Sequence, residues 1–66
     1  MEIVLNGKAH RVTVGARLDE LIAALGFAGK RIAVERNGQI VPRSRHGETA
    51  VEAGDRIEIV VAVGGG

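Results

Sequence analysis

Residues 54–66 read GDRIEIVVAVGGG. Ile57, Ile59, Val61 and Val63 alternate with Glu58, Val60 and Ala62, which is the period of a β-strand. Towards its end the run is apolar on both faces, as suits a central strand or one that meets a partner. Three glycines follow, Gly64, Gly65 and Gly66. Glycine holds a packed shape less well than any other residue. A strand that feeds such a tail has two readings: a frayed end, or a segment with a function of its own.

Working back towards the start, SRHGETAVEAGD (residues 44–55) reads as a polar loop that ends in a Gly54-Asp55 turn. Before it, KRIAVERNGQIVPR (residues 30–43) places Asn37-Gly38 between two short β-type runs. Pro42 has no amide to donate, so strand pairing stops or reaches an edge there. GARLDELIAALG (residues 15–26) changes period. Leu18, Leu21, Ile22 and Leu25 form one helical stripe, with Asp19 and Glu20 in the first turns and Gly26 as the stop. The spacing predicts a helix of about ten residues with a weak cap at Gly15 or Ala16. The opening MEIVLNGKAHRVTV holds a second Asn-Gly pair, Asn6-Gly7, the preferred content of a type I′ hairpin loop. Met1, Ile3 and Leu5 share one face of its first run, and Val12 and Val14 alternate along its second. The order strand, strand, helix, strand, short strand, strand predicts an α+β domain with one helix on one sheet face.

Composition narrows the function. Sixty-six residues make one domain with a small core. There is no cysteine, which excludes disulfides and cysteine-ligated zinc. Phe27 is the single aromatic residue and the net charge is +1, a poor match to nucleic-acid binding by stacking or by a basic face. No apolar run approaches the ~20 residues of a membrane-spanning helix. The chain reads as a cytoplasmic protein with no nucleic-acid or membrane partner. No nucleophile–base pair, metal set or phosphate loop stands in the sequence, so the chain does not read as an enzyme.

The opening Asn-Gly hairpin, the helix LDELIAALG, the segment VERNGQIVPR and above all GDRIEIVVAVGGG resemble the bacterial sulfur carrier proteins of thiamin thiazole biosynthesis, over the whole chain. The resemblance implies a ubiquitin-like β-grasp fold: a mixed four- to five-stranded sheet on one main helix, with the last strand parallel to the first. It implies a domain over residues 1–63 and a flexible tail at 64–66. It further implies that the carboxylate of Gly66 is adenylated by an E1-like enzyme using ATP and Mg²⁺, converted to a thiocarboxylate, and consumed by thiazole synthase. A sulfur donor such as a cysteine desulfurase completes the set, and the carrier itself binds no cofactor. The same chemistry serves β-grasp carriers for molybdopterin or tRNA thiolation, and a similar tail serves ubiquitin-like modifiers.

The residues agree with that chemistry. Without cysteine the chain cannot hold sulfur as a side-chain persulfide, which leaves a terminal carboxyl group. Three extended residues reach about 10 Å, and glycine passes a narrow channel. Ordering them costs about 1–2 kcal/mol per residue, which contacts to the rigid domain must offset. Val60, Ala62 and Val63, with Gly64 and Gly65, are the expected partner-binding residues; a second core or a dimer contact is the other reading for Val60 and Ala62. His10 and His46 read as surface histidines in polar surroundings, with no third ligand at useful spacing. Arg43, Arg45 and His46 read as a solvated basic loop that can also steer an acidic partner.

Overall fold

Both Asn-Gly pairs adopt the conformation that their residues favour. In a computed structural model, which describes residues 1–62, φ is +50° at Asn6 and +82° at Gly7, and +52° at Asn37 and +83° at Gly38. Two consecutive left-handed residues are what a type I′ loop requires. The first loop joins β1 (Glu2–Leu5) to β2 (Lys8–Arg11), and the second joins β3 (Ile32–Arg36) to β4 (Gln39–Ile40). Helix α1 (Leu18–Ala24) lies between the hairpins, and a 3₁₀ helix (Arg43–Glu48) leads to β5 (Arg56–Val61).

The five strands form one sheet in the order β2-β1-β5-β3-β4. The last strand is thus central. It runs parallel to β1 through Val4↔Arg56 and Leu5↔Ile57, and antiparallel to β3 from Arg36↔Ile57 to Ile32↔Val61. Alternation sends Ile3, Val34, Ile57 and Ile59 to one face, where they bury against Leu18, Leu21 and Ile22 of α1 and against Val51. Each such side chain contributes about 1.5–3 kcal/mol when fully buried.

The helix differs from expectation at its start. It has seven residues and starts later, with Arg17 as N-cap. Arg17 has no side-chain acceptor to offer; Glu20 instead reaches back to its amide at 2.9 Å, which satisfies one of the free donors of the first turn. At the other end Gly26 sits at φ +83° as the spacing predicts. The Phe27 amide donates to the Ile22 carbonyl and the Gly26 amide to that of Ala23, both at 3.0 Å, a Schellman closure. β2 stops at Arg11, because a turn closed by the Ala16 amide on the Thr13 carbonyl follows. Val14 therefore leaves the strand and is 78% exposed.

The segment over residues 44–55 is more ordered than a polar loop. The Leu18 amide donates to Thr49 and the Val51 amide to Ala16, so this stretch pairs with the helix entry and buries Val51. His46 is buried, not on the surface: the 3₁₀ turn points it inward, where Nε2 donates to the Val41 carbonyl at 3.0 Å.

Asp55 is also buried, and it is fully bonded. It accepts from Arg36 Nε at 2.8 Å, the Glu52 amide at 2.8 Å and Asn37 Nδ2 at 3.1 Å. Burial pushes its carboxyl up, but the bonds from Arg36, Glu52 and Asn37 outweigh this and hold it below the ordinary value of 3.8. The charged form is the bonded form. The network therefore stabilises the fold above the unfolded-chain value, and that contribution is lost as pH falls through the lower folded value. Asp55→Asn is expected to lower stability at neutral pH by about 1.5–3 kcal/mol. Denaturant titrations should show this difference shrinking once pH drops below 3.8; a constant difference across the acid range would refute the assignment.

Candidate functional site

The candidate site is the C-terminal end of β5, Val60 to Ala62. β3 accompanies β5 to the end: Ile32 faces Val61, and the Arg31 carbonyl accepts the Ala62 amide at 2.9 Å. On the other side β1 turns away after Leu5. There the side chain of Asn6 takes over the ladder. Its Oδ1 accepts the Ile59 amide at 2.9 Å, and its Nδ2 lies 3.4 Å from the Ile59 carbonyl. Beyond Ile59, β5 has a neighbouring strand on one side only.

Asn6 thus serves twice, as a left-handed turn residue and as a false rung that supports the exit of β5. Asn37 repeats the device at the start of the strand, where its Oδ1 accepts the Arg56 amide at 2.9 Å. Sequence reading treats both pairs as turns and gives no sign of these second bonds. Asn6→Ala loses both roles and is expected to cost about 1–3 kcal/mol, with faster amide exchange at Ile59 as the local readout. Unchanged exchange at Ile59 would show that Asn6 is only a turn residue.

Of the expected partner-binding residues, Val60 is 60% exposed and Ala62 is exposed. Val60 pairs with exposed Ala33 across the sheet, on the face away from α1. Neither Val60 nor Ala62 joins the core, so the second-core reading is set aside. Val61 turns its side chain the other way and is 40% exposed. Val63, Gly64, Gly65 and Gly66 lie outside the described residues. His10 and His46 do not come together with other ligands: among the described residues no three His, Cys, Asp or Glu side chains gather. The groups with displaced pKa values, Asp55 and Arg36, pair with each other far along β5 from its exit. Among the described residues no helix is long and apolar enough to cross a membrane.

One helix held by a mixed five-stranded sheet, with the last strand central and parallel to the first, defines a β-grasp domain of the ubiquitin-like class. Within that class, residues 3–66 match the ThiS family, and the chain belongs to it. It is 32% identical over its whole length to the sulfur carrier protein ThiS of Escherichia coli, which it also covers fully. The crystal structure of the thiamine biosynthesis protein ThiS from Geobacter metallireducens superposes with a TM-score of 0.85 at 33% identity, each chain covered completely. The chain is also 42% identical to a thiazole synthase of Magnetococcus marinus and 39% identical to one of Paramagnetospirillum magneticum. It spans 20% of the length of each of these two proteins.

Proposed function

We propose that this chain carries sulfur for formation of the thiamine thiazole ring, and that the carboxylate of Gly66 is the atom group that bears it. The observation that supports this most is the full-length relationship to a named sulfur carrier, combined with a central β5 that leads into Val63 and three glycines. The relationship to thiazole synthases supports that enzyme as the consumer of the sulfur.

A carboxylate resists substitution because it is anionic and has no good leaving group. In the proposed first step a carboxylate oxygen of Gly66 attacks the α-phosphorus of ATP, and pyrophosphate leaves. The partner enzyme supplies the phosphate clamp and Mg²⁺. The resulting mixed anhydride has AMP as leaving group. Hydrosulfide then attacks the acyl carbon; AMP departs, one proton is released and a thiocarboxylate remains. When the donor is a persulfide, such as that of a cysteine desulfurase, the first product is an acyl disulfide with the donor. A thiol then attacks the donor's sulfur, releasing the thiocarboxylate and leaving a disulfide between thiol and donor. The carrier contributes no acid, base or metal to these steps. It contributes a narrow terminus, a rigid body and a docking face, for which Val60 and Ala62 are the proposed contacts.

Intact-mass measurement tests the reading. The protein is incubated with an E1-like adenylating enzyme active on its own carrier, ATP, Mg²⁺ and a sulfide source. A gain equal to one oxygen exchanged for sulfur is expected, dependent on ATP. Absence of that gain would remove the proposal.

A further inference from the structure

Lys30 and Arg31 end the connection between α1 and β3, and Arg43 opens the 3₁₀ helix. Twelve positions separate Arg31 from Arg43 in the sequence, yet the three side chains line one concavity of about 160 Å³. Phe27, Ile32 and the buried His46 are among its walls. All three cations are exposed, and none has a carboxylate within 4.0 Å among the described residues. Arg36 and Arg45, by contrast, each pair with acidic neighbours. The grouping is marked on a chain whose net charge is only +1. Its wall is rigid, because His46 is fixed on the Val41 carbonyl and Ile32 is locked in the sheet.

The position of the notch gives it meaning. The Arg31 carbonyl holds the Ala62 amide, and Ile32 pairs with Val61. Arg31 and Ile32, two residues of the notch, are therefore bonded or paired to the end of β5. Three like charges around one small concavity repel one another, and acidic groups brought against them relieve that repulsion. Exposed charges are screened beyond roughly 8–10 Å, so only a surface docking close to the exit of β5 feels them strongly. Such a surface gains orientation and encounter rate.

We propose that Lys30, Arg31 and Arg43 form a docking notch for acidic side chains of the enzyme that adenylates Gly66. This inference rests on the sulfur-carrier reading above. Sequence reading grouped Arg43 with Arg45 and His46; the fold instead joins Arg43 to Lys30 and Arg31, while His46 turns inward and Arg45 pairs with Glu48.

The test is steady-state adenylation, followed by pyrophosphate release, with the full chain as varied substrate. Reversal of all three charges (K30E/R31E/R43E) is expected to raise KM about tenfold or more at low salt, with kcat unchanged. The wild-type KM should climb steeply with added salt, and the variant's should not. Reversal at the far end of the sheet (R11E/R56E) should leave KM within about twofold of wild type. The neutral set K30Q/R31Q/R43Q carries the same prediction in weaker form, and thermal unfolding of each variant checks that the body is intact. Equal KM values and equal salt slopes for notch and far-end variants would overturn the notch alone. A fall in kcat at constant KM would also overturn it, by showing an effect on the tail and not on docking. If the wild-type chain releases no pyrophosphate at all, the carrier reading fails and the notch falls with it.

Discussion

With Gly66 deleted, the protein is expected to fold as before and to take up no sulfur. The shortened chain still ends in a glycine carboxylate, so its chemistry is intact and only its reach has changed. One residue removes about 3.3–3.6 Å of extended chain. A displacement of about 1 Å at a reacting centre can already cost on the order of a hundredfold in rate. A carboxylate held short of the α-phosphorus by three times that distance should be adenylated at least a hundredfold more slowly. The buried residues run from Ile3 to Ile59, so the thermal midpoint should not move. Intact mass after incubation with enzyme, ATP, Mg²⁺ and sulfide reads the first effect, and calorimetry reads the second. Loading of the deletion variant at the wild-type rate would end the proposal that Gly66 is the acceptor. The same proposal requires a free carboxylate on Gly66, which the mass of the protein isolated from its own cells measures directly.

Ile57→Ala is expected to unfold a large part of the protein, whereas Val60→Ala three positions away should be nearly silent. Ile57 is 1% exposed, lies on the central strand and faces both Leu5 of β1 and Arg36 of β3. Truncation there removes burial from the one strand that joins the two halves of the sheet. Such changes cost about 2–5 kcal/mol. At 0.05–0.15 kcal/mol per residue a domain of this length has only about 3–10 kcal/mol in total. Val60 is 60% exposed on the opposite face, and its truncation should stay within about 0.5 kcal/mol. Denaturant midpoints compare the two. Similar losses at both positions would mean that the alternation along β5 does not divide core from surface as described.

The two variants separate the parts of one design. β5 is the central strand of the sheet, so the residues that hold the core and those that face solvent lie along the same six positions. Asn6 marks the transition. Before it, β5 has a strand on each side; after it, the strand is supported by β3 alone and its side chains turn to solvent.

Much of this was legible in the residues. Asn6-Gly7 and Asn37-Gly38 announce tight hairpin loops, because few other pairs tolerate two left-handed residues in succession. The stripe Leu18, Leu21, Ile22 and Leu25, closed by Gly26, announces one short helix. Alternation in RIEIVV announces a strand. The sequence points to a cap at Gly15 or Ala16 because Arg17 is a poor capping residue by type, whereas Glu20 supplies the bond to Arg17 from three residues on. Val14 reads as a strand residue because alternation does not show where a ladder ends, and β2 stops at Arg11. His46 and Asp55 look like surface residues in a polar run. They are buried because the 3₁₀ turn directs one inward and the cluster of Arg36, Asn37 and the Glu52 amide receives the other.

What residue order determined by itself is local: two loops, one helix, five short extended runs and a tail of glycines. These depend on φ preferences and on contacts within about four positions, which neighbouring residues control. The tertiary structure alone decided that β5 lies in the centre, that Asn6 reaches Ile59 fifty-three positions away, and that Lys30 and Arg31 share a notch with Arg43. Those outcomes follow from the need of every apolar face to share one small core. That condition couples distant segments, and no short pattern along the chain records it.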